Sequence, residues 1–283
     1  MSGSTKVIVV TGASSGIGTA TARLLKEQGH IVYGAARNLE RLNELRQKGI
    51  LPIEMDLVDE ISMGNAISHI IKKEGRIDVL VNNAGYGSYG ALEDVPMAEA
   101  RRQFEVNVFG AARLTQLALP HMRKQGAGTV INVSSVGGRA SGPLGSWYHA
   151  TKWALEAMSD CLRLEVKPFG INVVVIEPGA IKTGFLEIAT GALRATSGHG
   201  AYAQQAEGML NRFNSEAVVR RQSSPNVVAN AIAKAVSAQR PNTRYVVGLG
   251  AGSLLFLRRW LPDRAWDALI TRVAGTSTQK VSK

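Results

Sequence analysis

VIVVTGASSGIG, residues 7–18, joins a run of branched apolar residues to a turn built from glycine and small side chains. Val7–Val10 reads as a strand, because continuous Val and Ile suit an extended segment covered on both faces. The pattern from Ile17 to Gln28 is that of an amphipathic helix. Between them, Gly12, Gly16 and Gly18 let the backbone turn tightly and approach a pyrophosphate, which then lies at the positive end of the helix dipole. The first glycine gap is wider than in G-x-G-x-x-G, and strand–glycine–helix junctions also form for packing reasons. The strand before and the helix after favour the phosphate reading.

The same rhythm continues outward. Ile31–Ala35 reads as a second strand, followed by a polar helix around Leu39–Gln47. Leu51–Met55, Val79–Val81, Thr129–Val133, Ile171–Ile176 and Arg244–Val247 bring the strands to about seven. The expected fold is α/β: residues 1–283 as a single doubly wound domain, a parallel sheet with helices on both faces. Residues 186–214 break the rhythm with the glycine-rich ATGALRATSGHG and a weakly amphipathic AYAQQAEGMLNRF, and read as an irregular insertion, a substrate lid beyond the carboxyl ends of the strands. Residues 251–283 form a C-terminal extension.

Composition narrows the class. Hydrophobic residues make up 45% and charged residues 19% of the 283, as expected of a globular domain. Cys161 stands alone, so no intrachain disulfide can form, and its plain reading is a small buried residue. MSGSTKVIVV has no signal-peptide pattern, which makes the cytoplasm the expected location. The net charge of +11 suits an anionic ligand, but no basic run interleaved with aromatics and no zinc-finger spacing points to nucleic acid or a metal.

Charge at the end of the second strand selects between dinucleotides. An acidic residue there would accept the ribose hydroxyls of NAD(H), whereas an arginine accommodates the 2′-phosphate of NADP(H). The chain has Ala35-Ala36-Arg37, so NADP(H) is expected to be preferred over NAD(H).

Further motifs follow in order: NNAG at Asn82–Gly85, Asn107 in FEVNVFG, INVSSVGG, YHATK with Tyr148 four residues before Lys152, and Pro178-Gly179. With TGASSGIG in front, this set resembles the short-chain dehydrogenase/reductase family over residues 6 to 185, in its hydroxysteroid, retinol dehydrogenase or bacterial ketoreductase branches. The resemblance implies a Rossmann fold and hydride transfer between a nicotinamide and a carbonyl or alcohol carbon. Residues four apart share a helix face, so Tyr148 and Lys152 can address one cavity. A free phenol with a pKa of about 10 is a poor proton donor at neutral pH, and a nearby cation would lower it.

The resemblance makes Ser135, rather than Ser134, the serine that steadies the substrate oxygen, and Asn107 the residue that holds a water linking lysine to solvent. It places Gly12, Ser14, Ser15, Gly16, Ile17, Gly18, Arg37, Asp56, Leu57, Asn83, Ala84, Gly85, Tyr148, Lys152, Pro178, Gly179, Ile181 and Thr183 on the cofactor. Asp56 has a plainer reading as a helix N-cap, and Asn107 as an amide bracing a helix kink. Substrate contacts are expected from Ser135, Tyr148, Tyr86, Tyr89, Arg139, Leu144, Trp147, Phe185 and Leu186, an apolar set suited to a hydrophobic carbonyl compound. A homodimer or homotetramer is expected through Ala98–Gln125 and Trp147–Lys167. The alternatives are a cofactor-sensing protein with weak catalysis and an enzyme of lipophilic alcohols held at a membrane surface by GSLLFLRRWLPDRAWDALI. Helix docking over the substrate cleft or at a subunit contact is the plainer reading of that segment.

Overall fold

A computed structural model describes residues 4–37 and 39–276. Its strands are β1 (Val7–Thr11), β2 (Ile31–Ala36), β3 (Leu51–Glu54), β4 (Val79–Asn82), β5 (Gly128–Val133), β6 (Ile171–Pro178) and β7 (Arg244–Val247). All pair in parallel, in the spatial order β3-β2-β1-β4-β5-β6-β7. The chain therefore builds outward from β1 to β3, then returns to lay β4 on the other side of β1. That reversal opens a crevice above the carboxyl ends of β1 and β4, where ligands of open α/β sheets bind.

The strands are apolar on both faces because helices cover both. On one face Ile8, Val10, Val32, Val79, Val81, Ile131, Val174 and Ile176 pack against α1 (Gly16–Glu27) and α10 (Pro225–Ser237). Their immediate neighbours Val7, Val9, Tyr33, Leu80, Val130 and Val173 meet α3 (Glu60–Glu74), α5 (Gly110–Gln125) and α6 (Ser146–Val166) on the other. The strand period of two divides one apolar run between two cores. α2 (Leu39–Arg46) follows β2, and α4 (Met97–Phe104) leads through a π-helical turn, Glu105–Phe109, into α5. Cys161 is exposed on α6, not buried, because it falls on the outward face of that helix.

The insertion expected to be irregular is largely helical: α7 (Phe185–Ser197) and α8 (Ala203–Asn214) are separated by a break at Gly198–Gly200. Ala189 and Leu193 of α7 and Ala206, Met209 and Leu210 of α8 form one apolar face, so the tertiary contact orders a segment whose glycines suggested a loop. After α9 (Glu216–Arg221), α10 and β7, the extension forms α11 (Ala251–Trp260) and α12 (Asp263–Ala274). Trp266 is buried against Ala140 and Leu255, and its indole N–H donates to the Ser141 carbonyl at 3.2 Å. The extension thus docks on the turn after β5. Among the described residues no helix is long and apolar enough to cross a membrane.

A polar ladder ties the central strands to two helices. Asn82 Nδ2 of β4 donates to Asn132 Oδ1 of β5 (2.8 Å) and to Thr115 Oγ1 of α5 (3.0 Å), while Asn132 Nδ2 donates to Ser159 Oγ of α6 (2.8 Å). All four residues are buried, so removing one leaves its partners unpaired in a dry environment. Asn132→Ala is expected to lower unfolding free energy by about 1–3 kcal/mol, read as a drop in the urea midpoint. An unchanged midpoint would contradict this account of how β4 and β5 are held.

Candidate active site

The glycine turn between β1 and α1 is shaped for close approach. Gly12 and Gly16 have φ of +66° and +52°, conformations that strain any side-chain-bearing residue. A Cβ on Gly18 would run into the Gly12 carbonyl. Ser15 caps α1 with extended backbone but makes no side-chain capping bond, which leaves the first amides of the helix directed at the crevice. Thr11 braces the turn from below: its Oγ1 accepts the amides of Asn83 and Ala84, each at 3.0 Å. Asn83 Nδ2 in turn donates to the Thr11 carbonyl at 2.8 Å. β1 and β4 thus meet here, as the strand order requires. This geometry fits a pyrophosphate-bearing dinucleotide. The bracing role of Thr11 was not visible in the sequence, where it is only the residue between the strand Val7–Val10 and Gly12.

Other expected cofactor residues ring the same crevice. A Cβ on Gly16 would lie 3.0 Å from the Thr183 methyl, so the segment after β6 closes on the glycine turn. Arg37 is exposed at the end of β2. Glu54 of β3 pairs in register with Ala36, adding a carboxylate near this edge that the reading of β2 alone overlooked. Asp56 does not cap α3. Asp59 does, accepting from the amides of Ile61 and Ser62, while Asp56 Oδ1 accepts from Val58 N at 3.2 Å. Leu57 is buried in the core, and the side chains of Ile17 and Ile181 pack against the opposite one.

Tyr148 and Lys152 lie on the inward face of α6, both buried. Lys152 Nζ donates to the Val133 carbonyl at the end of β5 (2.9 Å), and burial lowers its pKa to about 8, with Glu156 opposing that shift. Gly85 stands beside it: a Cβ there would be 3.6 Å from Nζ and 3.0 Å from Asn107 Oδ1. Tyr148 behaves otherwise than expected. Burial pushes its phenol up to about 12, opposed by a hydrogen bond from Ser135, and Lys152 is not among the causes of its shift. The ammonium is directed to Val133 instead. Ser135 Oγ accepts from Gly137 N at 3.0 Å and faces the Pro178 carbonyl at 3.5 Å. The end of β6 and the turn after β5 thus meet at this hydroxyl.

Asn107 lies in the π-helical turn and is buried. Its Oδ1 accepts from Tyr86 N (3.0 Å), and its Nδ2 donates to the Tyr86 carbonyl (2.8 Å) and Thr151 Oγ1 (3.1 Å). The side chain is thereby engaged as a brace between α5, α6 and the segment after β4.

Tyr148 is walled by aromatic rings, with Tyr89 at 5.6 Å and Phe185 at 5.2 Å between centroids. Leu144 and the apolar faces of α7 and α8 complete this cluster. Four expected substrate residues lie elsewhere. The Tyr86 hydroxyl is drawn to Glu99 of α4 (2.9 Å), and Arg139 pairs with the buried Glu177 (3.4 Å). Trp147 packs edge-on against Phe104 (6.4 Å), and Leu186 is half-buried outside the cluster. His149 was missed: its ring touches Tyr148 and Tyr89 and bonds the turn after Ser135.

The profile of the short chain dehydrogenase family matches residues 6–191. The 3-ketodihydrosphingosine reductase of Bacteroides thetaiotaomicron is 38% identical over 261 residues, covering 91% of this chain and 94% of the relative. A short-chain dehydrogenase structure from Streptomyces avermitilis superposes with a TM-score of 0.80 at 38% identity, covering 90% of this chain and 92% of the other. A metagenomic short-chain oxidoreductase in complex with NADP superposes with a TM-score of 0.69 at 26% identity, covering 87% and 98%. The chain belongs to the short-chain dehydrogenase family, oxidoreductases whose fold binds a nicotinamide dinucleotide.

The buried ammonium gives a signature in stability. Lys152 releases its proton near pH 8 in the folded chain, whereas an unfolded lysine does so near 10.4. Between those values the unfolded state binds more protons, so the contribution of Lys152 to stability rises with pH. Wild type is expected to gain stability relative to Lys152→Met as pH is raised from 8 to 10, followed by urea unfolding at each pH. A pH-independent difference would contradict the depressed pKa.

Proposed function

We propose that this chain is an NADP(H)-dependent reductase of hydrophobic ketones or aldehydes, or an alcohol dehydrogenase when run in reverse. The observation that carries this reading is the placement of Tyr148, Ser135 and Lys152 together at the strand ends, under an aromatic and aliphatic cover. A nicotinamide dinucleotide, when bound, supplies or accepts the hydride. Tyr148 donates the proton to the carbonyl oxygen, and the Ser135 hydroxyl donates a hydrogen bond to that oxygen as negative charge develops. Lys152, held by Val133, keeps a positive charge beside the crevice at neutral pH and would hold the nicotinamide ribose. Gly12 to Gly18 would hold the pyrophosphate, and Asn107 fixes the wall behind Lys152.

The apolar cover supports a substrate with a hydrophobic body, and the name of the Bacteroides relative supports a long-chain 3-keto compound. Arg37 supports NADP(H), as does the NADP-bound structural neighbour, while Glu54 beside Ala36 argues for a preference rather than exclusion of NAD(H). Phe109 in the π-helical turn before α5, and Trp153 and Leu164 on α6, are exposed, which supports a homodimer or homotetramer through this region. Light scattering is expected to give a multiple of the chain mass; a monomer would overturn that assembly.

NADPH oxidation is to be followed with 3-ketodihydrosphingosine, 2-dodecanone and acetophenone. Turnover is expected with at least the long-chain ketones, and none with any of them would overturn the reading. Tyr148→Phe is expected to cut kcat by about 10²-fold or more while NADPH still binds. Turnover within a few-fold of wild type would remove Tyr148 from the chemistry. Arg37→Ala is expected to narrow the NADPH-to-NADH ratio of kcat/KM by about ten- to hundred-fold, the worth of one charged hydrogen bond to phosphate. An unchanged ratio would clear Arg37 of that role.

A further inference from the structure

His149 follows Tyr148 directly on α6 and uses both ring nitrogens on the turn that carries Ser135. Its Nδ1 lies 2.9 Å from the Gly137 carbonyl, and Nε2 lies 3.2 Å from the Gly142 amide. A carbonyl can only accept and an amide N–H can only donate. The ring is therefore neutral, with its proton on Nδ1 and its lone pair on Nε2. The turn is built around it: a Cβ on Gly137 would stand 2.9 Å from Nδ1, and one on Gly145 would stand 3.0 Å from Cδ2. Glycine at both positions lets the backbone close on the imidazole.

The contacts continue in both directions. Gly137, whose carbonyl His149 holds, donates its own amide to Ser135 Oγ at 3.0 Å. At the other end of the turn, Ser141 accepts from Trp266 of α12, and Ile270 of the same helix lies against Gly142. We infer that His149 is a positioning residue for Ser135: as the neutral Nδ1–H tautomer it fixes the turn that aims the Ser135 hydroxyl at the oxygen protonated by Tyr148. This rests on the reading of Ser135 and Tyr148 proposed above.

A pH dependence follows from the geometry. Protonation would place an N–H on Nε2 facing the N–H of Gly142, so the tie at Gly142 is lost in acid. The titratable groups against the ring are Tyr148 on its own helix and Tyr89 on the segment after β4, both uncharged in this range. Arg139, in the turn itself, is taken by Glu177. Burial lowers the His149 pKa, which sets the loss below the ordinary value of about 6.5.

Two substitutions separate the contacts. His149→Phe keeps an aromatic ring and removes both bonds, whereas His149→Asn places an amide donor near the position of Nδ1 and restores the bond to Gly137. With NADPH and 3-ketodihydrosphingosine, His149→Phe is expected to lower kcat by about tenfold or more with NADPH affinity unchanged, and His149→Asn, which keeps the Gly137 bond but not the Gly142 one, to give an intermediate kcat close to that of wild type below the His149 pKa. The acid limb of the wild-type kcat profile is expected to be absent in His149→Asn. In a Ser135→Ala background, His149→Phe is expected to cost little more. If Ser135→Ala itself leaves kcat unchanged, the proposed role of Ser135 fails; if it lowers kcat but His149→Phe adds its full loss on top, the inference about His149 fails. ¹⁵N-histidine NMR of the whole chain, with the signal assigned by its absence in His149→Asn, reads the tautomer without turnover. The Nδ1–H form supports the inference, and an Nε2–H or cationic ring at pH 7 overturns it.

Discussion

The bond from Lys152 Nζ to the Val133 carbonyl fixes α6 against the carboxyl end of β5, and the arrangement of the site depends on it. It sets the depth of Tyr148, one helical turn earlier, and leaves the next residues of the chain, Ser134 and Ser135, to turn over the strand end towards it. A buried ammonium with one backbone acceptor is costly to desolvate, which is why its pKa falls to about 8. The fold tolerates that cost at the one place where a positive charge beside a crevice is useful.

Support for this arrangement comes from the sheet. β4, β5 and β6 end together because they are adjacent and parallel, and the Asn82–Asn132–Ser159 ladder locks two of them to α6. The glycine turn comes from the other half of the sheet and meets these ends through Thr11, Asn83 and Ala84. The amides of the glycine turn and a buried Tyr–Lys pair are thus brought to one rim by strand order. Over that rim α7 and α8 lay an apolar cover, and α12 braces the turn beneath it.

The central strands were legible because a parallel sheet covered on both faces writes them as nearly unbroken Val and Ile runs, and Val7–Val10 needed no tertiary information. That Tyr148 and Lys152 share one helix face was legible from their spacing of four, whereas Ser135 was reached only through the resemblance to the family. Other features were set by contacts remote in sequence. Tyr86 turns to Glu99, Trp147 to Phe104 and Arg139 to Glu177, and no local pattern announces those partners. The helix α7 was hidden by glycines that only a packed apolar face overrides, and α8 showed only as a weak amphipathic pattern. His149 was hidden because a histidine beside a motif tyrosine has no signature until the turn at Gly137 and Gly142 closes on both its nitrogens.

The central claim is that the hydrogen added to the carbonyl carbon comes from the nicotinamide and the one added to oxygen comes from Tyr148. The most direct measurement is mass spectrometry of the alcohol formed from 3-ketodihydrosphingosine with NADPH deuterated at one face of C4, repeated with the other face and with unlabelled NADPH in D₂O. The account predicts one deuterium on the carbinol carbon from a single face of the cofactor and none on that carbon from solvent. Deuterium arriving there from D₂O, or from neither labelled cofactor, would contradict it.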